Sequence, residues 1–252
     1  MTENIRRVVI TGLGIVSPVG STVNKAWDNI KNGVSGIRKI NSFDASAFSV
    51  QIAGSVIDFN SDDYITPKNQ KKMDTFIHYG IGASAMAIED SGLEINDQNR
   101  DRVGISIGSG IGGLPYIERN YGNFLEKGPR KISPYFVPSS IINMVSGNLS
   151  IMYGITGPNM SLVSACATGT HSIGDAARLI KHGYVDIMIA GGAEMATCPL
   201  GIGGFASAKA LCSTNNDSPE TASKPWDINR NGFVLGDGAG IMVLEDYDHA
   251  KK

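Results

Sequence analysis

Cys166 is the residue of this chain best placed for covalent chemistry. It lies in the run Met160-Ser161-Leu162-Val163-Ser164-Ala165-Cys166-Ala167-Thr168-Gly169-Thr170, which passes from apolar residues into small ones and then into a helical pattern. A cysteine at a helix start meets amide N–H groups with no partner inside the helix, and the positive end of the helix dipole; both favour thiolate. Thiolate is the nucleophilic form. The same amides can hold the oxyanion that develops when an acyl carbonyl is attacked. Extending the helix phase backwards lines Cys166 up with Ile173, Ala177 and Ile180, so the thiol is expected to open into an apolar, sheltered cavity. The competing reading is a free cysteine buried as a small hydrophobe.

A Cys/His hydrolase needs a base within reach, and the nearest in sequence is His171. Five positions along a helix of 3.6 residues per turn place it roughly 140° away, in line with Asp175, Arg178 and His182 on a polar stripe. His171 therefore reads as surface. His78 and His249 sit in no motif, and Cys198 and Cys212 read as ordinary thiols. Three cysteines without a CxxC pair argue against a disulfide framework or a zinc cluster and fit a reducing cytoplasm. No metal or cofactor is implied. Two glycine runs imitate nucleotide sites. Gly12-Leu13-Gly14-Ile15-Val16-Ser17 lacks a third glycine, however, and Gly108-Ser109-Gly110-Ile111-Gly112-Gly113 lacks the Lys-Ser/Thr ending of a P-loop. Tight turns beneath a site explain them better, as they do the run from Gly232 to Gly240.

The elements that would hold this cysteine are legible as alternating strands and helices. Short continuous apolar runs at Val8 to Ile10, Val103 to Ile107, Met160 to Val163, Ile187 to Ala190 and Ile241 to Leu244 predict five strands with both faces covered. Met73, Ile77, Ile81, Ser84 and Ile88 predict a helix stopped at Gly92; others are expected over Ser139 to Tyr153 and Ala167 to Lys181. The class is α/β. Ser35 to Asp63 and Asn215 to Gly240 read as loop excursions from one core. With 252 residues and 42% hydrophobic composition the chain can bury a sizeable core, and 22 basic against 24 acidic residues advertise no nucleic-acid partner. Arg6 and Arg7 before Val8 to Val16 imitate a signal peptide, but Gly12, Gly14 and Pro18 suit a strand entering a turn. No apolar stretch reaches the ~18 residues of a membrane span. The ending, Glu245 to Lys252, reads as the first turns of a helix with no stop signal, so a fragment is expected.

These residues resemble a known family. Val163-Ser164-Ala165-Cys166-Ala167-Thr168-Gly169, Ala190-Gly191-Gly192-Ala193-Glu194 and the run Gly232 to Gly240 are similar to motifs of beta-ketoacyl-acyl-carrier-protein synthases of the thiolase superfamily. Val8 to Gly14, Ile107 to Gly110 and Pro129 to Pro134 extend the likeness over nearly the whole chain, with the elongating type II synthases nearest. The resemblance implies a thiolase-like α/β fold: a mixed five-stranded sheet with helices on both faces, forming the N-terminal half of a five-layer α-β-α-β-α sandwich. It further implies one repeat over 1–252 with insertions near 35–70 and 110–135, the C-terminal half being absent. Cys166 then matches the acylated residue. Ile111, Phe136, Ala165 and Phe205 match positions lining or gating an acyl pocket, although each reads equally well as core. Lys68, Lys71, Lys72, Arg130, Lys131 and Lys209 match a docking patch for acidic acyl carrier protein, an ordinary solvated face being the alternative for each. The implied substrates are acyl and malonyl thioesters, and the implied full-length form is a cytoplasmic homodimer without nucleic-acid or membrane partners. The family's two histidines and supporting lysine belong to a second half, and none of His78, His171, His182 or His249 matches them. A half-synthase that binds carrier protein or a complementary half without turnover therefore stands beside the enzyme reading.

Overall fold

Apolar runs ended by glycine-rich turns form one central mixed sheet. The computed structural model describes residues 5–251. In chain order these hold β1 (Val8–Val16), α1 (Val23–Lys31), β2 (Arg38–Lys39), β3 (Ile52–Ala53), α2 (Pro67–Gln70), α3 (Thr75–Ser91), β4 (Val103–Gly108) and α4 (Leu114–Lys127). Then follow α5 (Phe136–Ser140), α6 (Met144–Tyr153), β5 (Asn159–Met160), α7 (Thr168–Lys181), β6 (Ile187–Glu194), α8 (Pro199–Ser207), β7 (Gly238–Asp246) and α9 (Tyr247–Ala250).

The sheet order is β1-β7-β6-β4-β5. β4 pairs in parallel with β5 and β6, whereas β7 runs antiparallel to both β6 and β1. Period-two alternation sends Ile187 and Ile189 of β6 to one face and Met188 and Ala190 to the other. The first face packs on α3 and α6 through Phe76, Ile77, Ile81 and Leu149, all fully buried. The second packs on α7 through Ala176 and Ile180. Each large apolar side chain so buried contributes about 1.5–3 kcal/mol, which makes this three-layer core rigid enough to carry a site. A smaller cluster, including Ile52, Ile202, Leu211 and Leu235, packs the loop excursions beside the sheet.

Local signals set the helix ends. Asp74 caps α3 by accepting the Thr75 amide at 2.6 Å, and Gly92, with φ 66°, ends it in the left-handed conformation expected of glycine. Asp186, just before β6, ion-pairs with Arg6 at 2.6 Å and Arg102 at 2.8 Å, tying the starts of β6 and β4 to the N-terminal segment.

Some expectations change. The helix foreseen over Ser139 to Tyr153 is two helices, broken at Ile141, whose φ and ψ of −78° and 140° are extended; its end at Tyr153 is as expected, with Gly154 as the cap. The strand foreseen over Met160 to Val163 pairs only at Asn159 and Met160, because β5 is an edge strand whose chain then turns inward over Gly108. β1 is an edge strand too. Gly12, Gly14 and Val16 face α3, while Ile10 and Leu13 on the other side are exposed, so both-face cover fails there. α1, α4 and α8 were not legible: α8 reads Pro-Leu-Gly-Ile-Gly-Gly-Phe-Ala-Ser, too glycine-rich for a helical period to show.

Candidate active site

Glycines bring the start of α7 down onto the sheet. Gly108 and Gly192 are paired across the β4–β6 ladder. A Cβ at Gly108 would stand 2.3 Å from both the Leu162 carbonyl oxygen and Thr168 Cγ2, and one at Gly192 would stand 3.1 Å from the Gly169 Cα. No larger residue lets the chain approach so closely.

Cys166 lies within a tight turn on this support. The Ser164 carbonyl accepts the Ala167 amide at 3.2 Å, the Ala165 carbonyl accepts the Thr168 amide at 3.1 Å, and Thr168 Oγ1 accepts the Ser164 amide at 2.9 Å. Ala165 has φ 52°, a left-handed conformation that costs a non-glycine residue about 1–2 kcal/mol. Among the described residues, the amides of Cys166, Gly169 and Thr170 donate to no protein acceptor.

The thiol is exposed, not sheltered as the helix phase implied. The reason is that α7 begins at Thr168 with Ala167 as its cap, so Cys166 precedes the helix and does not share its apolar stripe; Ala165 redirects the chain. Cys166 nonetheless lines a cavity of about 610 Å³, together with Ile111, Ala165, Phe205, Phe233 and Leu235. Phe205 and Phe233 meet edge to face at 5.4 Å. The other thiols differ: Cys198 and Cys212 are buried, and burial pushes the Cys198 thiol up to about 11. Phe136 begins α5 and does not line this cavity. A second open cavity, about 590 Å³, contains Lys224 and Arg230 and borders the first through Phe233 and Val234; no cysteine lines it among the described residues.

Two carboxylates line the cavity, Asp237 buried and Glu194 half-buried, and neither was singled out from the sequence. Glu194 accepts the Ser109 hydroxyl at 2.8 Å and the amides of Ile111 and Gly112 at 2.9 and 3.2 Å. Burial pushes this carboxyl above the ordinary value, against the opposing pull of those hydrogen bonds. Asp237 accepts the amides of Ala196 and Thr197 at 3.0 and 3.1 Å, and burial raises it likewise. An acidic residue closing a Gly-Gly strand end, or set between Gly236 and Gly238, was the available signal.

The histidines fall away from the cavity wall. His171 is exposed, but its Nδ1 lies 2.6 Å from Ser164 Oγ, so it braces the turn that carries Cys166; it is more than the bystander its polar stripe suggested. His78 contacts the Gln70 carbonyl, and burial pushes it down. His249 pairs with Glu245 at 2.7 Å. Among the described residues no group of three or more His, Cys, Asp or Glu side chains could hold a metal ion, and no helix is long and apolar enough to cross a membrane.

Lys68, Lys71, Arg130, Lys131 and Lys209 are exposed, and none forms an ion pair among the described residues. Lys72 lies 5.8 Å above the Tyr135 ring while its carbonyl accepts the Ser139 hydroxyl, which brings the 68–72 and 129–135 segments together. Lys209 stands apart after α8, with φ 54°.

The chain matches the family described as beta-ketoacyl synthase, N-terminal domain, over residues 5–250. It is 58% identical over 246 residues to 3-oxoacyl-[acyl-carrier-protein] synthase 2 of Vibrio harveyi, covering 98% of this chain and 59% of that protein. The corresponding values are 56%, 98% and 59% for the Coxiella burnetii protein of the same name, and 45%, 100% and 60% for that of Staphylococcus aureus. Among solved structures, a type II polyketide ketosynthase in complex with its acyl-carrier protein superposes with a TM-score of 0.87 at 31% identity, over 98% of this chain and 60% of that one. A beta-ketoacyl synthase from Burkholderia phymatum gives 0.86 at 30% identity over the same shares. The chain thus spans about 60% of the length of the relatives it matches.

Proposed function

Because this chain belongs to the beta-ketoacyl synthase family through its N-terminal domain, we propose that it supplies the acyl-accepting half of a type II 3-oxoacyl-acyl-carrier-protein synthase. The carrying observation is Cys166 itself: exposed, on a strained turn, beside unpaired amides, at an apolar cavity. Its thiolate attacks the carbonyl carbon of an acyl thioester; the oxyanion is held by the local amides, its own included; collapse expels the carrier thiolate and leaves an acyl-cysteine thioester. A malonyl thioester then loses carbon dioxide, and the resulting enolate attacks the acyl-cysteine carbonyl, forming the new carbon–carbon bond and releasing the cysteine thiolate.

Ile111, Ala165 and Phe205 form the wall that an acyl chain meets, with Phe233 added to the set; Phe136 serves the pocket only in a larger assembly. The exposed cations at 68–72, 130–131 and 209 suit an acidic carrier protein, whose encounter they would steer. A homodimer in the cytoplasm, a five-layer sandwich completed by a second repeat, and insertions near 35–70 and 110–135 belong to the same reading. No histidine lines the Cys166 cavity among the described residues. The two histidines and the lysine that the family resemblance assigns to a second half would serve decarboxylation in the full-length protein. The test is product formation by the full-length protein from an acyl and a malonyl thioester. Wild type should yield 3-oxoacyl thioester and carbon dioxide and Cys166→Ala should yield no 3-oxoacyl product; unchanged product from the variant would remove the assignment.

A further inference from the structure

We propose that Glu194 is a positioning residue that limits the length of acyl group admitted to the cavity, by holding Ile111 in the path of the chain. The inference rests on the acyl-transfer reading of Cys166. Glu194 closes β6 with a half-buried carboxylate that lines the cavity and forms no ion pair among the described residues. Its partners all belong to one turn, between β4 and α4. Oε1 accepts the Ser109 hydroxyl and the Gly112 amide, Oε2 accepts the Ile111 amide, and Ser109 Oγ accepts the Gly112 amide at 3.0 Å. The turn closes tightly round the carboxylate, since a Cβ at Gly110 would stand 2.9 Å from Oε2.

A carboxylate drawn partly out of water without a cation beside it carries a desolvation cost. What it supplies is a fixed acceptor for two consecutive amides, and the first of them is that of the residue whose side chain lines the cavity. Ile111 is 39% exposed, hence not held by packing alone. Gln in place of Glu keeps the volume but turns an NH₂ toward N–H donors. The turn must then move, and Ile111 with it.

The test measures Cys166 acylation of the full-length protein by decanoyl- and acetyl-coenzyme A, by intact mass, in wild type, Glu194→Gln, Ser109→Ala, Ile111→Ala and the Ile111→Ala/Glu194→Gln double variant. The decanoyl-to-acetyl rate ratio should rise about tenfold in Glu194→Gln, roughly 1.4 kcal/mol of differential barrier. It should rise less in Ser109→Ala. In the Ile111→Ala background, Glu194→Gln should change the ratio no further. Equal slowing of both donors, a ratio that stays constant or falls, or a shift that persists without the Ile111 side chain overturns the inference. If Glu194→Gln does not fold, Ser109→Ala decides by the same ratio. Wild type that acquires no acyl group at Cys166 defeats the acyl-transfer reading as well as this inference, whereas normal acylation with an unmoved ratio defeats the inference alone.

Discussion

Gly108→Ala is the perturbation that bears hardest on how Cys166, the proposed nucleophile, is placed. The added methyl would stand 2.3 Å from the Leu162 carbonyl oxygen and equally near Thr168 Cγ2. Ordinary contact needs about 1 Å more. Neither obstacle can step aside cheaply: one is backbone, and Thr168 is buried with its hydroxyl bonded to the Ser164 amide. The Ser164–Thr168 turn must lift from the sheet. Overpacking of this kind costs about 1–3 kcal/mol, a fall in melting temperature of about 3–10 °C for a chain of this size. Displacing a reacting group by about 1 Å costs on the order of a hundredfold in rate. The assay pairs thermal melting with the rate of Cys166 acylation by an acyl thioester. Loss of rate well beyond the loss of folded protein is expected; acylation within threefold of wild type at an unchanged melting temperature would refute the claim that glycine at 108 sets the turn's height.

Three further outcomes follow from other contacts. Gly122→Ala, in α4 with nothing within 4 Å of the added Cβ, should stabilise by about 0.5–1 kcal/mol in denaturant unfolding; a destabilised variant would contradict it. Asp186→Asn should destabilise at neutral pH by about 1–2 kcal/mol, discounted because Arg6 and Arg102 are each about a third exposed. The hydrogen bond from Arg102 leads in lowering the Asp186 carboxyl from 3.8 to about 2. Its stabilisation is therefore complete above about pH 5 and fades as pH falls through the folded value, so the two proteins' stabilities should converge near pH 2, and a constant difference across that window would count against the ion pair. Reversing Lys68, Lys71 and Lys72 should weaken acyl-carrier-protein binding about tenfold at low ionic strength and far less in 1 M salt, where the screening length is about 3 Å; unchanged affinity would remove that patch.

How far the sequence spoke depended on whether a feature is local. The αL stop at Gly92, the boundaries of α7 and the α/β class were readable, because caps and apolar runs act over a few residues. The site was half legible. Cys166 was singled out by the small residues around it, but its exposure was missed, since helix phase cannot be carried through Ala165 at φ 52°. Glu194 and Asp237 were missed because their partners, Ser109 to Gly112 and Ala196 to Thr197, are some 40 to 85 positions away and are mostly backbone amides, which no side-chain pattern announces. His171 was set aside by an angle computed along a helix, yet its partner Ser164 precedes that helix. The edge exposure of Ile10 and Leu13 was hidden by a run that reads like a buried strand.

The account stands on Cys166, out of three cysteines, being the acylated one. Peptide mapping after a brief incubation of the native protein with an acyl thioester addresses this directly. One acyl group on the peptide carrying Cys166, with Cys198 and Cys212 unmodified and no adduct in Cys166→Ala, is the predicted result. Adducts on Cys198 or Cys212 at a comparable rate, or equal labelling of the Ala variant, would contradict it.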